Sequence, residues 1–328
     1  MPYKVILLGL GNVGFQYDEG GALHSSTSLT HAAALHQDPL FSLIAAIDPN
    51  PDLRRRFTQK YGIAAYAHLN EAGDLAKEAD LFIIATPTPT HKMIFDTIID
   101  FEPQLIIFEK PLTENIEELE QMMATLKEKK SNAHILINYF RRFSPAVARL
   151  KKALEAGDFG EVLYAQIYYC RGFLNNCSHF IDLLSYLFGP LQSASLIDFY
   201  GNFNQADMNM DIKAKFLSGL PLQCKHLSEK HFFSGRIYIY TAKGVFLIDE
   251  QGKIQFAQTI QSDCGDQVPD AFITLDEIEF KQPFKALLNE VAHLLRDSKL
   301  GNRDSLDSFK GILEQFDHLK GEVANASH

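Results

Sequence analysis

The signature Gly9-Leu10-Gly11-Asn12-Val13-Gly14 follows directly on the apolar run Val5-Ile6-Leu7-Leu8 and limits the fold more than any other feature. A strand that exits into glycines at these spacings predicts a parallel α/β unit. Gly9 permits the tight turn, Gly11 lets the backbone approach a pyrophosphate, and Gly14 allows close strand–helix packing. Asn12 and Val13 complete the turn, and the following helix would offer its N-terminal N–H groups to phosphates. Glycine-rich strand exits without a ligand also exist, so the context must decide.

That context is regular. Val5–Leu8, Leu43–Ile47, Leu81–Ile84, Leu105–Phe108 and Ile135–Ile137 are short runs rich in branched aliphatics, as in parallel strands covered on both faces. Amphipathic stretches alternate with them: Pro51–Tyr61, Thr90–Asp100 and Thr113–Lys130, the last acidic early and basic late, in keeping with the helix dipole. The repetition predicts an α/β doubly wound domain of the Rossmann type over residues 1–130. From about Ser144 the texture changes. Helical Pro145–Glu155 leads to a strand at Val162–Tyr169, and helical His179–Phe188 stops at Gly189-Pro190. Strand patterns follow at Asp211–Phe216, Leu222–Leu227, Arg236–Thr241 and Val245–Ile248, the last two joined by a turn at Ala242-Lys243-Gly244. Helical Phe284–Arg296 and Ser305–Leu319 close the chain. Residues 131–328 therefore read as an α+β domain on a largely antiparallel open sheet, with a soft boundary because a chain can return to its first domain.

The 328 residues suffice for two domains with separate cores. A net charge of -10 without a dense Lys/Arg cluster argues against nucleic acid. The opening apolar stretch is too short for a secretion signal, and no run approaches the roughly 20 residues of a membrane span. Four widely spaced cysteines, with no CxxC pair, suit reduced thiols. Together these features lead us to expect a cytoplasmic protein.

Asp48 ends the second apolar run, where a carboxylate would accept from both ribose hydroxyls of NAD. Pro49 follows and no basic residue is adjacent, so a 2′-phosphate would meet an unpartnered negative charge; NAD is favoured over NADP. A plain strand-end turn at Asp48-Pro49 is the alternative. Asp48 lies 34 positions after Gly14, against roughly 20 in the usual fingerprint. The excess is the polar segment Gln16–Thr30. Its Asp18, Glu19 and His24 lack a second ligand cluster, which favours solvated loop residues over a metal site.

Several ordered segments carry a more specific signal: Ala85-Thr86-Pro87-Thr88 with His91, Glu109-Lys110-Pro111, Asn138-Tyr139-Phe140-Arg141-Arg142-Phe143, and Asn175-Asn176-Cys177-Ser178-His179-Phe180-Ile181-Asp182. In these the chain resembles the Gfo/Idh/MocA oxidoreductases, the type of glucose–fructose oxidoreductase and inositol dehydrogenase. The resemblance spans both domains, though the C-terminal third matches only in its β-then-helix plan. The GNVGFQYD start and NNxSHFIDLL segment are similar to a branch associated with surface polysaccharide biosynthesis.

The resemblance implies an NAD-dependent enzyme that moves a hydride between a secondary alcohol of a sugar, polyol or nucleotide sugar and nicotinamide. It implies His179 as general base and Lys110 as the group that holds the same oxygen, with a cis Lys110-Pro111 bond common among relatives. Thr86, Pro87 and Thr88 would line the cofactor cleft, with His91 at the next helix start as a further contact or only a cap. Glu109 would border the nicotinamide ribose, and Asn138 the nicotinamide or substrate. Arg141 reads as a ligand for a polar substituent, best a carboxylate, or as an ordinary ion pair. Many relatives carry Asp four residues before the histidine and Gly two before it; here Asn175 and Cys177 stand there. An amide can bond a sugar hydroxyl but accepts no proton at neutral pH, so an Asp-dependent relay is absent. Cys177 reads as a small buried hydrophobe. Asp182, one turn beyond His179, either orients the imidazole and substrate or serves as a helix cap or salt-bridge partner.

A regulatory protein that senses NAD or a metabolite on the same fold is the reading from another class, and retention of Lys110 and His179 argues against it. A cycle in which NAD is reduced and reoxidised without release is a third. The family implies pairing of open C-terminal sheet faces, so a homo-oligomer, dimer or tetramer, is expected, with Tyr238 and Tyr240 on the shared face.

Overall fold

The structure, a computed structural model, describes residues 1–23, 26–201, 207–230, 232–296 and 303–326. Two compact units form: Met1–Phe140 with Lys281–Leu306, and Arg141–Phe280 with Asp307–His328.

The first unit is built on six parallel strands, β1 (Tyr3–Leu8), β2 (Phe41–Ile47), β3 (Ala65–Tyr66), β4 (Leu81–Ile84), β5 (Leu105–Phe108) and β6 (His134–Ile137), in the order β3-β2-β1-β4-β5-β6. Every residue of β4 and β5 is fully buried, which is why both read as unbroken apolar runs. Five helices connect them: α1 (His31–Gln37), α2 (Pro51–Tyr61), α3 (Asp74–Lys77), α4 (His91–Ile98) and α5 (Ile116–Glu128). Local chemistry sets their ends. Asn50 caps α2 by accepting from the N–H groups of Asp52 and Leu53, Pro51 takes the first turn, and Gly62 ends it at φ 69°. α5 starts later than its sequence suggests, because Asn115 is its cap and Thr113 instead donates to the Asn115 carbonyl.

The glycine turn differs from a plain strand–turn–helix. After one helical turn, with Phe15 N–H and Gln16 N–H both on Gly11 O, the chain leaves at Gln16 and returns at Thr30. His31 N–H then bonds Val13 O at 3.0 Å, and Ala32 N–H bonds Gly14 O at 3.1 Å. Residues 16–30 are thus an excursion spliced into the first helix, whose hydrogen-bond ladder resumes on the carbonyls it left. This accounts for the long spacing to Asp48. Asp18 closes the excursion through Leu29 N–H and Thr30 Oγ1, and α2 holds it through Arg56 on Glu19 and Lys60 on backbone carbonyls, Glu19 O and Gly21 O among them. Asp18 and Glu19 therefore serve the loop; His24 lies outside the described residues.

The second unit carries nine strands among its described residues: β7 (Val162–Tyr169), β8 (Leu191–Tyr200), β9 (Asn209–Phe216), β10 (Pro221–His226), β11 (Gly235–Thr241), β12 (Gly244–Ile248), β13 (Lys253–Gln261), β14 (Gln267–Pro269) and β15 (Ile273–Glu277). The order is β14-β13-β12-β11-β7-β10-β9-β8, with β15 on β13. Among the described residues of this sheet, only β7 and β10 pair in parallel. Along β7, Ala165, Ile167 and Tyr169 are buried while Tyr164, Gln166 and Tyr168 stay partly open, giving one covered face and one open face. Two helices follow in order, α6 (Pro145–Glu155) and α7 (Ser178–Phe188), and then α8 (Pro283–Arg296) and α9 (Arg303–Ala326) close the chain. From Asp307 on, α9 serves the second unit: Gln315 and Glu322 accept from the N–H groups of Ala194 and Leu196 on β8, and Phe316 stacks on Phe173.

The unit boundary falls near residue 140, not 130, because β6 pairs with β5 from Leu105↔His134 to Phe108↔Ile137. α8 also returns to the first unit, where Phe284 stacks on His31. No helix among the described residues is long and apolar enough to cross a membrane.

Candidate active site

In the first unit, a cleft of about 680 Å³ opens at the carboxyl ends of β1, β2 and β4, where the strand order reverses direction across β1. Gly9, Gly11, Asp48, Pro49, Ala85, Thr86, Pro87 and Thr90 line it. The glycine turn is tied to both neighbouring strands: Gly9 N–H bonds Ile47 O, and Ala85 N–H bonds Leu8 O. The three glycines are constrained differently. A Cβ on Gly9, at φ +95°, would lie 2.4 Å from Ala85 O, and one on Gly14 would lie 2.1 Å from Gly9 O. A Cβ on Gly11 would meet nothing within 4 Å. Gly11 thus keeps open the space in front of the turn, as close approach of a phosphate requires. Asn12 is exposed beside it and Val13 half-buried; neither lines the cleft.

Asp48 is buried, 8% exposed. Its Oδ2 accepts from Leu10 N–H at 2.7 Å and its Oδ1 from Asn50 N–H at 2.8 Å. The carboxylate therefore braces the glycine turn, and each oxygen keeps a further lone pair for a hydroxyl. Arg54, one turn into α2, donates to the carbonyls of Asp48 and Pro49 at 2.8 and 2.9 Å. Reading for an adjacent base missed it, because the helix brings position 54 back to the strand end. A glycine turn that excludes side chains, an acidic group at the end of β2 and a long cleft between them fit a nicotinamide dinucleotide.

The end of β5 holds a second cluster. Glu109 Oε1 accepts from Asn138 Nδ2 at 2.6 Å and lies 2.7 Å from His31 Nε2. Burial pushes the Glu109 carboxyl up, but the His31 hydrogen bond and charge, Asn138 and the Lys110 charge together hold it below its usual range. The Lys110–Pro111 bond is cis, and Lys110 is half-buried. His31 was not singled out in the sequence, since its partner lies 78 positions away. His91 sits behind this turn, 1% exposed, with Nε2 2.9 Å from Thr86 O and Nδ1 3.0 Å from Leu112 O. Burial lowers its pKa against those two carbonyls and the charges of Glu109 and Glu118. It joins the β4 exit to the segment after Pro111 and does not line the cleft. Thr88 opens the short turn Thr88–Thr90 ahead of it, also outside the cleft lining.

In the second unit, His179 occupies the first turn of α7, 8% exposed. A widened helical turn, Phe173–Cys177, precedes it. Asp207 caps this turn, accepting from Leu174 N–H at 2.8 Å and Asn175 N–H at 2.9 Å. A side chain at Gly172 would be strained there: φ is +91°, and a Cβ would lie 2.0 Å from Asp207 Oδ2. Nothing in the sequence pairs positions 172 and 207. Asn175 is exposed, its Nδ2 donating to Arg171 O. Cys177 is fully buried and burial pushes its thiol well up, which fits a packing residue and no nucleophile.

Arg141 lies between the rings of Phe180 and Phe280, at 5.2 and 5.4 Å to their centroids. Burial lowers its pKa to about 10, so it stays charged at neutral pH. Asp182, expected among the substrate ligands, is 0% exposed; Arg142 Nε lies 3.1 Å from its Oδ2, and Ser308 Oγ donates to its Oδ1. It braces α7 from behind. Among the described residues no group of three His, Cys, Asp or Glu is gathered as a metal site needs.

Residues 3–136 match the family described as the oxidoreductase family with an NAD-binding Rossmann fold. The scyllo-inositol 2-dehydrogenase (NAD(+)) of Bacillus subtilis is 27% identical over 205 residues, 57% of this chain and 54% of that protein. The chain thus spans about half the length of the curated relatives it matches. Over nearly its whole length it superposes on a dehydrogenase from Chromobacterium violaceum, TM-score 0.78 at 16% identity, covering 99% of this chain and 96% of that one. A levoglucosan dehydrogenase solved with NADH and levoglucosan gives TM-score 0.75 at 17% identity, with 99% and 98% covered. At these identities the structures speak for the fold of both units. Over residues 3–136, its N-terminal Rossmann domain, the chain matches the Gfo/Idh/MocA oxidoreductase family.

Proposed function

We propose that the protein is an NAD-dependent dehydrogenase that oxidises a secondary alcohol of a sugar, polyol or nucleotide sugar, or runs the reverse reduction. The observation that carries this reading is the cleft at the ends of β1, β2 and β4, with open space at Gly11 and a braced Asp48. Asp48 favours NAD over NADP, since its charge would face a 2′-phosphate while Arg54 is engaged on carbonyl oxygens.

When bound, the nicotinamide ring supplies the hydride acceptor or donor. The chain's own residues manage position and proton. Gly9, Gly11 and Asp48 would hold the dinucleotide, with Thr86 and Pro87 along the same cleft; Asn138 holds Glu109 at the end of the sheet. The Lys110 ammonium bonds the reacting oxygen and stabilises developing negative charge, and the His179 imidazole takes the hydroxyl proton. Asn175 and Arg141 bind the remaining polar groups of the substrate.

The buried thiols of Cys170, Cys177 and Cys224 suit a reducing compartment, the cytoplasm. A homo-oligomer would use the open sheet face, where Tyr164 packs near Tyr240 and Tyr168 near Tyr238.

The test is fluorescence titration with NADH and NADPH of the native chain, Asp48→Ala and Gly11→Val. Tighter binding of NADH than NADPH, lost in both variants, supports the reading and justifies a sugar screen. No binding of either nucleotide would withdraw it. Binding without turnover of any sugar or polyol would favour a regulatory sensor on the same fold.

A further inference from the structure

One buried titratable side chain, His31, has no part in the cofactor cleft or the proton transfer proposed above. It reaches its place only because the excursion closes: Asp18 accepts from Leu29 N–H and Thr30 Oγ1, Thr30 Oγ1 caps α1 through Ala33 N–H, and His31 N–H resumes the ladder on Val13 O. The ring is 1% exposed and stacks on Phe284 of α8 at 4.3 Å and 27°. Its Nε2 lies 2.7 Å from Glu109 Oε1, the same oxygen that accepts from Asn138. His31 Nδ1 is buried without a hydrogen-bond partner among the described residues, so nothing competes with a proton on Nε2.

We propose that His31 is a positioning residue for Lys110: it fixes the carboxylate of Glu109, the residue before the lysine, so that the ammonium is held beside an immobile anion. The inference rests on the role of Lys110 in the proposed reaction. A half-buried carboxylate stays charged only when donors replace lost water. Among the influences that oppose burial of Glu109, the His31 hydrogen bond is the largest. The titratable groups around Glu109 are His31 from α1, Lys110 beside it in the chain and His91 of α4, with Glu118 of α5 beyond His91. β6 contributes the neutral Asn138, and α8 presents Phe284 to the imidazole.

The test follows the titration of Lys110 by NMR after reductive ¹³C-methylation, its signal assigned by loss in Lys110→Arg. Glu109→Gln removes the neighbouring charge and lowers the Lys110 midpoint by about one pH unit. His31→Phe keeps a ring for Phe284 but no donor; the carboxylate of Glu109, no longer fixed, swings away from the ammonium and the Lys110 midpoint falls similarly. The double variant goes no lower than Glu109→Gln alone, and His31→Gln, which retains an N–H, stays near the native value. A native midpoint in His31→Phe, or effects that add in the double variant, would overturn the proposal. Should His31→Phe not fold, ¹⁵N shifts of the native His31 ring decide: the Nε2–H form is required, and an Nδ1–H tautomer overturns it. NADH titration of the native chain runs alongside. Its failure withdraws the dehydrogenase reading, while the Lys110 midpoints still decide the role of His31.

Discussion

Alanine at each glycine of the turn separates a folding role from a binding role. At Gly9 the added Cβ would lie 2.4 Å from Ala85 O and 2.6 Å from Ala85 C, both backbone atoms at the exit of β4, so the strand itself has to move. An alanine at φ +95° pays about 1–2 kcal/mol for left-handed backbone. The overlap adds about 1–3 kcal/mol, and Gly9→Ala is expected to lose about 2–5 kcal/mol in all. Gly14→Ala meets Gly9 O at 2.1 Å without the unfavourable φ, and should lose about 1–3 kcal/mol. Gly11→Ala meets nothing within 4 Å, so its stability should stay within about 0.5 kcal/mol of native. Gly11→Val should fold as well, yet fill the space before the turn and weaken NADH by about tenfold or more, about 1.4 kcal/mol. Urea unfolding and NADH fluorescence titration on the same preparations read both effects. The reasoning fails if Gly11→Ala is destabilised like Gly9→Ala, or if Gly11→Val binds NADH as the native chain does.

Three further outcomes are expected. Lys110→Met and His179→Asn should each cut kcat by about 10²–10⁴ on a sugar that turns over in the screen, with NADH affinity kept within about threefold; unchanged kcat in either removes that residue from the proton path. Burial pushes the Asp182 carboxyl up to about 6 against the Arg142 charge and the Ser308 hydrogen bond. A folded pKa above the unfolded value of about 3.9 means the native state binds the proton more tightly, so stability falls as pH rises from about 4 to about 6. Native chain minus Asp182→Asn, by urea unfolding, should therefore decline across that window by up to about 3 kcal/mol, and a flat difference refutes it. In sedimentation at working concentration the native chain should be a dimer or larger, and Tyr238→Asp on the open sheet face should shift it toward monomer; a native monomer contradicts the shared-face reading.

The Rossmann sheet was legible because its strands are buried on both faces, which leaves an unbroken apolar run at each of β1, β2, β4, β5 and β6. β11 and β12 were legible through the Ala242-Lys243-Gly244 turn, and Gly244 at φ +158° begins the second strand. β8 was not: its pairing with β9 shifts register twice, between Leu191 and Ser193 and between Leu196 and Asp198, which breaks the two-residue alternation. β14 and β15 are short and mostly exposed, so they carry little apolar pattern. The excursion showed itself as excess length before Asp48, but not as a splice, since its closure depends on hydrogen bonds from His31 and Ala32 back to Val13 and Gly14.

By itself, the sequence determined the alternation of elements, the glycine turn and the ordered residues Glu109, Lys110, Asn138 and His179, because those depend on neighbours within a few positions or on motif order. Tertiary structure alone decided which of them touch. It joined His31, Glu109 and Asn138 on one carboxylate oxygen across separations of 78 and 29 positions, and placed Asp207 under the turn that leads to His179. It also turned Asp182 away from solvent toward Arg142 and Ser308. A single hydrogen bond between residues so far apart leaves no local pattern; it is fixed only when the packed sheet and helices bring the two ends within 3 Å of each other.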